Sequence, residues 1–195
     1  NRLVSDGVAR PSKVINYAET DAIAIYLQDE LSAGDLTLSL GLRYEDIQGS
    51  VDNYLTDTVS SNTQSILAPG VGVHYQLSEH IGLLAGAYVG FSPAGPGASA
   101  AEAEESINFE YGVRYENDTV SAELIGFLSD YDNLLGRCRA SDANCAVGDE
   151  FNGGQVEIGG VEFNGQFDIA LTETMSLNSQ LNFTYTQPPL SSEHK

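Results

Sequence analysis

A chain of 195 residues with 28 acidic and 8 basic residues carries a formal charge of −20 and a pI near 4.1. So few Lys and Arg cannot supply the clustered cations that phosphate backbones demand, so no nucleic-acid partner is expected. No run of about 18 apolar residues encodes a transmembrane helix, which leaves a membrane β-barrel open. The length suits one all-β domain. Twenty glycines, one Met and no Trp are thin material for a sandwich interior and fit a single-layer wall better. No N-terminal segment with a basic region and an apolar stretch is visible, so any export signal is expected outside this sequence.

Taken in order, residues 1–16 show no clear alternation and read as the tail of a loop. From Tyr17 to Leu31, Ile23, Ile25, Leu27 and Leu31 oppose Thr20, Gln28 and Glu30, and this period of two predicts a strand that ends at a turn supplied by Gly34. The next strand, Asp35 to Ile47, is the clearest. There Leu36, Leu38, Leu40, Leu42 and Tyr44 alternate with Thr37, Ser39, Gly41, Arg43 and Glu45. Residues Gln48 to Ser65, rich in Ser, Asp, Asn and Thr, read as a long polar loop. A third strand from Leu67 to Leu77 turns at Ser78–His80 into a fourth, Ile81 to Phe91. A second long loop, Ser92 to Glu104, carries two prolines.

The fifth strand, Glu105 to Glu116, meets the sixth across Asn117 and Asp118. In the sixth, the apolar residues change side, from Val120, Ala122 and Leu124 to Ile125, Phe127 and Tyr131, which predicts a bulge near Gly126. A third long loop, Asn133 to Gly154, holds both cysteines. In the seventh strand, apolar residues change side at Gly159–Gly160, from Val156 and Ile158 to Val161, Phe163, Phe167 and Ile169, and a second bulge is expected. A short turn at Leu171–Thr174 leads to an eighth strand that stops before Pro188 and Pro189.

The connections thus alternate short and long throughout. A β-sandwich has Greek-key crossovers, whereas an outer-membrane barrel has tight turns at one end and long loops at the other. With the short turns at one end, Tyr75 and Tyr115 fall near that end and Tyr44, Phe91 and Tyr185 near the other, as two aromatic girdles would. The expected fold is all-β: an antiparallel up-and-down meander, a partial transmembrane β-barrel of about eight strands. The competing class is a secreted acidic β-rich binding or adhesion module, in which the apolar face would cover a core.

Catalysis has little support, because no nucleophile elbow, zinc-protease helix or phosphate-cradling glycine loop is present, and no enzyme is expected. Asp130 and Asp132 flank a strand end. His74, His80 and His194 do not cluster, so neither a metal site nor a cofactor is expected, and the run DANCAVGDEFNGG lacks calcium-loop spacing. Cys138 and Cys145 lie close together in a polar stretch without a nearby His, which argues for a local disulfide over zinc and for an oxidising compartment.

Several phrases, in order, carry a resemblance: LSLGLRYED from Leu38, GAYVGFSPAGPGA from Gly86, EESINFEYGVRYEN from Glu104, FLSDYDNLLG from Phe127 and FNGGQVEIGGVEFNGQFDI from Phe151. Together they resemble the C-terminal half of TonB-dependent outer-membrane receptors, closest to the ferric dicitrate type. The resemblance implies a Gram-negative outer-membrane barrel of about 22 strands, set in lipid, with a plugged lumen. It further implies uptake of a ferric siderophore or ferric citrate, powered by the TonB system through the plug domain. Neither a plug, an energy-coupling box nor a closing aromatic-ended strand is found, so residues 1–195 are expected to be a segment of a larger receptor barrel. On the polar face, Arg43, Arg114 and Glu110 would face the lumen and plug, the arginines paired with Glu45, Glu110 or Glu116, since half-buried charges need partners. Arg137 and Arg139 flank Cys138 in a loop that the family places outside. Guanidiniums bind carboxylates in bidentate fashion, so these two are the candidates for an anionic ligand, held in place by a Cys138–Cys145 disulfide.

Overall fold

The computed structural model describes residues 3–5, 8–10, 16–142, 147–172 and 174–187. Within them run β1 (Leu3–Ser5), β2 (Val8–Arg10), β3 (Asn16–Ala33), β4 (Leu36–Asn53), β5 (Thr58–Gln76), β6 (Ile81–Ser92), β7 (Glu104–Glu116), β8 (Val120–Asp132), β9 (Leu135–Arg137), β10 (Glu150–Asn152), β11 (Val156–Thr172) and β12 (Met175–Thr186). Eight of these form one antiparallel sheet in the order β3-β4-β5-β6-β7-β8-β11-β12, without a crossover, and its two edges do not meet. β1 pairs with β2, so part of the expected N-terminal loop is a small hairpin. β9 pairs with β10 inside the third long connection.

Alternation assigns the two faces. Leu36, Leu38, Leu40, Leu42 and Tyr44 stand in register with Tyr75, Val73, Val71, Pro69 and Leu67, and the same outward side continues through Leu83, Val113, Leu124, Phe163 and Phe183. Leu40 and Leu42 remain 42% and 46% exposed, and no second layer covers them among the described residues, so the packed-core alternative falls. An uncovered apolar face of this extent is a lipid-facing surface.

The long polar loop expected at Gln48–Ser65 is instead sheet. β4 and β5 pair without a break from Leu36↔Tyr75 to Asn53↔Thr58 and are joined by a tight turn. There Asn53 Oδ1 accepts from the Leu55 and Thr56 amides, and Asp57 sits at a φ of 54°, which Asp tolerates better than most residues. The outward face of this outer portion meets water, and its inward face meets loop 93–103 through the polar side chains Asn62 and Gln64. The apolar alternation therefore lapses while strand pairing continues.

Neither expected bulge exists. β8 runs in unbroken register through Tyr111↔Gly126 on one side and Gly126↔Val161 on the other, and β11 passes Gly160↔Phe127 in the same register. The register of β11 shifts only in its pairing with β12, at Ala170/Thr172, among the described residues. What changes is the environment: beyond Leu128 and Gly159 the outward positions become Asp130, Asp132 and Glu157, and the apolar side chains Phe127, Tyr131, Val156 and Ile158 turn inward. The switch of side marks the upper edge of the lipid band. Gly126 and Gly160 are needed for space, since a Cβ would fall 2.8 Å from the Tyr111 ring and 2.7 Å from the Phe127 ring.

Candidate functional site

Two connections at the long-loop end, 93–103 and 133–155, build the mouth. The first folds over the inner face of β4 and β5. Asn62 and Gln64, two residues apart and therefore on one side of β5, hold it with their amides. Gln64 Oε1 accepts from the Ala94 amide at 2.9 Å while its Nε2 donates to the Ala94 carbonyl at 3.1 Å. Asn62 Nδ2 donates to the Gly95 carbonyl and its Oδ1 accepts from the Gly97 amide. These amides do for the loop what a neighbouring strand would. Beneath it, Ile47, Ile66 and Ala103 are buried together with Phe91 packed against them. The small residues are required: Gly97 has a φ of 79°, and a Cβ on Gly49 would come within 2.8 Å of Pro96 Cα.

The second connection carries the β9–β10 hairpin, which sets Arg137 opposite Glu150. Arg137 Nη2 donates to Glu150 Oε1 at 2.9 Å, and the other oxygen, Oε2, accepts from the Gly95 amide at 2.7 Å. The Gly95 amide first, and Arg137 after it, hold the Glu150 carboxyl below the ordinary glutamate range. At the hairpin base, Asn152 Oδ1 accepts from the Glu102 amide, and its Nδ2 donates to the Glu102 and Asn133 carbonyls. The Leu135 amide donates to Glu104 Oε2. The two loops are one hydrogen-bonded body.

Cys138 continues this hairpin and is buried at 2% exposure, its amide donating to the Asp149 carbonyl and its carbonyl accepting from the Gly148 amide. Cys145 lies outside the described residues. Arg137 and Arg139 flank Cys138 as the sequence suggests, but they differ in state. Both are exposed, but the Arg137 guanidinium is held by Glu150, whereas Arg139 is engaged through its backbone amide, which donates to Asp142 Oδ2.

On the inner face, Arg43 pairs with Glu45 at 2.6 Å, two residues along the same strand. Arg114 pairs with Glu123 at 2.5 Å, its register partner across β7 and β8, rather than with Glu110 or Glu116. Glu110 instead accepts from the Tyr88 hydroxyl at 3.0 Å. Glu123 was missed because it is opposite Arg114 only once the turn at 117–119 fixes the register. Beside these groups runs an inward groove of about 380 Å³, lined by Gly72, His74, Gly86, Tyr88, Arg114 and Glu123 among others. Among the described residues no group of three or more His, Cys, Asp or Glu could hold a metal ion.

The family model for the TonB dependent receptor-like β-barrel matches residues 3–193. The metal-pseudopaline receptor CntO of Pseudomonas aeruginosa (strain UCBPP-PA14) is 32% identical over 111 residues, 52% of this chain and 16% of that receptor. The unliganded ferric citrate transporter FecA superposes with a TM-score of 0.72 at 23% identity, over 94% of this chain and 29% of its own. The siderophore receptor PiuA from Acinetobacter baumannii does so at 0.70 and 16% identity, over 92% of this chain and 27% of its own. This chain therefore spans less than a third of the length of these relatives, and with the two structures it shares the fold. The family consists of receptors and not enzymes, in agreement with the absence of a catalytic motif from the sequence. With its outward apolar wall, tight turns at one end and braced loops at the other, this chain belongs to the TonB dependent receptor-like β-barrel family of the Gram-negative outer membrane.

Proposed function

We propose that this chain forms part of the wall and mouth of a larger receptor barrel that takes up an anionic ferric chelate, ferric citrate or a ferric siderophore, with energy delivered by the TonB system through a plug domain. One observation carries the choice of ligand class: the braced loops present Arg137 and Arg139 at the mouth of a chain whose net charge is −20. An anion approaching so acidic a surface needs local positive charge, and guanidiniums match carboxylates in bidentate fashion. The fold shared with the ferric citrate transporter FecA and the partial match to the metal-pseudopaline receptor CntO support uptake of a metal chelate. In this reading Arg43, Arg114 and Glu110 face the plug, and Cys138 bonds to Cys145 to limit the positions of the two arginines. The pairs of β3 and β12 are completed by further strands of the barrel.

The test is transport of radiolabelled ferric citrate by the intact receptor at matched surface expression. Losing a charge-assisted hydrogen bond of about 1.5 kcal/mol weakens binding about tenfold, so Arg137→Gln with Arg139→Gln should raise the transport KM about tenfold or more. An unchanged KM removes both arginines from the ligand site.

A further inference from the structure

The carboxylate of Glu150 occupies an unusual position, because each of its oxygens serves a different loop. Oε1 is held within its own hairpin by Arg137 at 2.9 Å, and Oε2 reaches across to the Gly95 amide at 2.7 Å. The approach is close, since a Cβ on Gly95 would lie 3.1 Å from Oε1 and the carboxylate would have to give by a few tenths of an ångström. On its far side, residues 94–97 are bound to β5 by Asn62 and Gln64. Glu150 is therefore the charged junction between a loop fixed to the barrel wall and the hairpin that carries both arginines. The other contacts between the loops, through Asn152 and through Glu104 to Leu135, lie at the base of that hairpin. They would act as a hinge for a hairpin released at Glu150.

We propose that Glu150 is an internal competitor for the anionic ligand: it occupies Arg137, and with Arg137 orienting it, latches the hairpin to loop 93–103 until an incoming anion takes the guanidinium. This rests on the ligand class proposed above. Acid is not the trigger, because both partners stabilise the charged carboxylate and the latch outlasts ordinary glutamates as pH falls. Competition is, because a polycarboxylate offers Arg137 a bidentate partner that the single oxygen of Glu150 does not. Once Arg137 turns away, Glu150 keeps one part-buried bond, from the Gly95 amide, and loses the group that aims it.

Two coupled equilibria must be reciprocal. If ligand binding weakens the latch, removing the latch strengthens ligand binding, which is opposite to what loss of a merely structural contact would do. The experiment measures ferric citrate affinity of the intact receptor for Glu150→Gln, Arg137→Gln and the double variant. Distances between spin labels at Ser99 and Val147, carried on genetically encoded amino acids so that the cysteines are untouched, are read in parallel. An exposed ion pair corresponds to about 1.4-fold to fivefold in affinity, so Glu150→Gln should bind ferric citrate tighter by a factor in that range and broaden the label distances. In the Arg137→Gln background the same change should leave affinity unaltered, and saturating ferric citrate should broaden the distances of the parent. If Arg137→Gln weakens binding while Glu150→Gln fails to tighten it, or leaves the label distances as narrow as in the parent, the latch is overturned and the ligand reading stands. If neither Arg137→Gln nor Arg137→Gln combined with Arg139→Gln alters ferric citrate affinity, the ligand reading fails, and the competition proposed here fails with it.

Discussion

The assignment of faces can be tested by placing one charge on either side of β4. Leu36 to Tyr44 is eight residues, about 26 Å along a strand rising ~3.3 Å per residue, and about 20 Å along the membrane normal at a tilt near 40°. That fits inside an apolar band about 25 Å tall, and it puts Leu40 at the middle of the band. Leu40→Arg should therefore cost about 2–4 kcal/mol, the value for an arginine on the lipid face at the midplane. Ser39→Arg, one residue away, points inward, where its register partners are Glu30 and Gly72 and the nearest atom to a Cβ on Gly72 is 3.8 Å off. It should change stability by less than about 1 kcal/mol. Guanidinium-chloride unfolding of the intact receptor in lipid bilayers gives both numbers from the shift in midpoint. Equal losses for the two variants, or a larger loss for Ser39→Arg, would refute the outward placement of the leucines.

Three further outcomes are expected. Gly49→Ala, whose Cβ would meet Pro96 Cα at 2.8 Å, should lift loop 93–103 and cost about 1–3 kcal/mol, seen as faster proteolysis within that loop; Gly72→Ala should not. Because the Glu150 carboxyl is lowered in the folded state, its contribution is fully present above the ordinary glutamate value of about 4.3 and is lost only as pH falls through the lower folded value. Hydrogen exchange at the Gly95 amide should accordingly stay protected as pH drops past that ordinary value. If Cys138 and Cys145 are bonded as proposed, replacing both with Ser should lower the free energy of opening loop 133–154 by at most about 2–3 kcal/mol, the entropy of a small closed loop, and speed proteolysis there while leaving the unfolding of the sheet unchanged.

Alternation disclosed the strands, and the short and long connections with the aromatic positions disclosed their up-and-down order and the lipid face, because a surface bathed in hydrocarbon on one side and water on the other imposes period two on every strand that crosses it. The same rule misled where the strands leave the band. Ser60, Ser61 and Thr63 look like loop because no apolar stripe accompanies them, yet their backbones pair as well as those of Leu67 and Val71. Phe127 and Tyr131 looked like evidence of a bulge because the reversal of apolarity was read as a change of register rather than a change of solvent. Arg43 with Glu45 was legible from spacing, whereas Arg114 with Glu123 required the turn. Glu150 and Asn62 were illegible, since their roles depend on Gly95 and its neighbours arriving from distant parts of the chain.

The extension of β4 and β5 past the lipid band has a consequence for engineering the receptor. Nine residues beyond Tyr44, the turn at 54–57 stands about 23 Å further out along the normal at the same rise and tilt, with Tyr54 and Leu55 62% and 50% exposed. Its two stems are bonded to each other along their whole length, so a peptide spliced between them would leave the pairing below undisturbed. Loop 93–103, richer in Gly, Ala and Pro and outwardly more permissive, is the poorer place for an epitope or a fluorophore, because nearly every residue of 94–97 is already tied to the wall. For a reporter displayed on the cell surface, the rigid mast is the better site and the soft-looking loop the worse one.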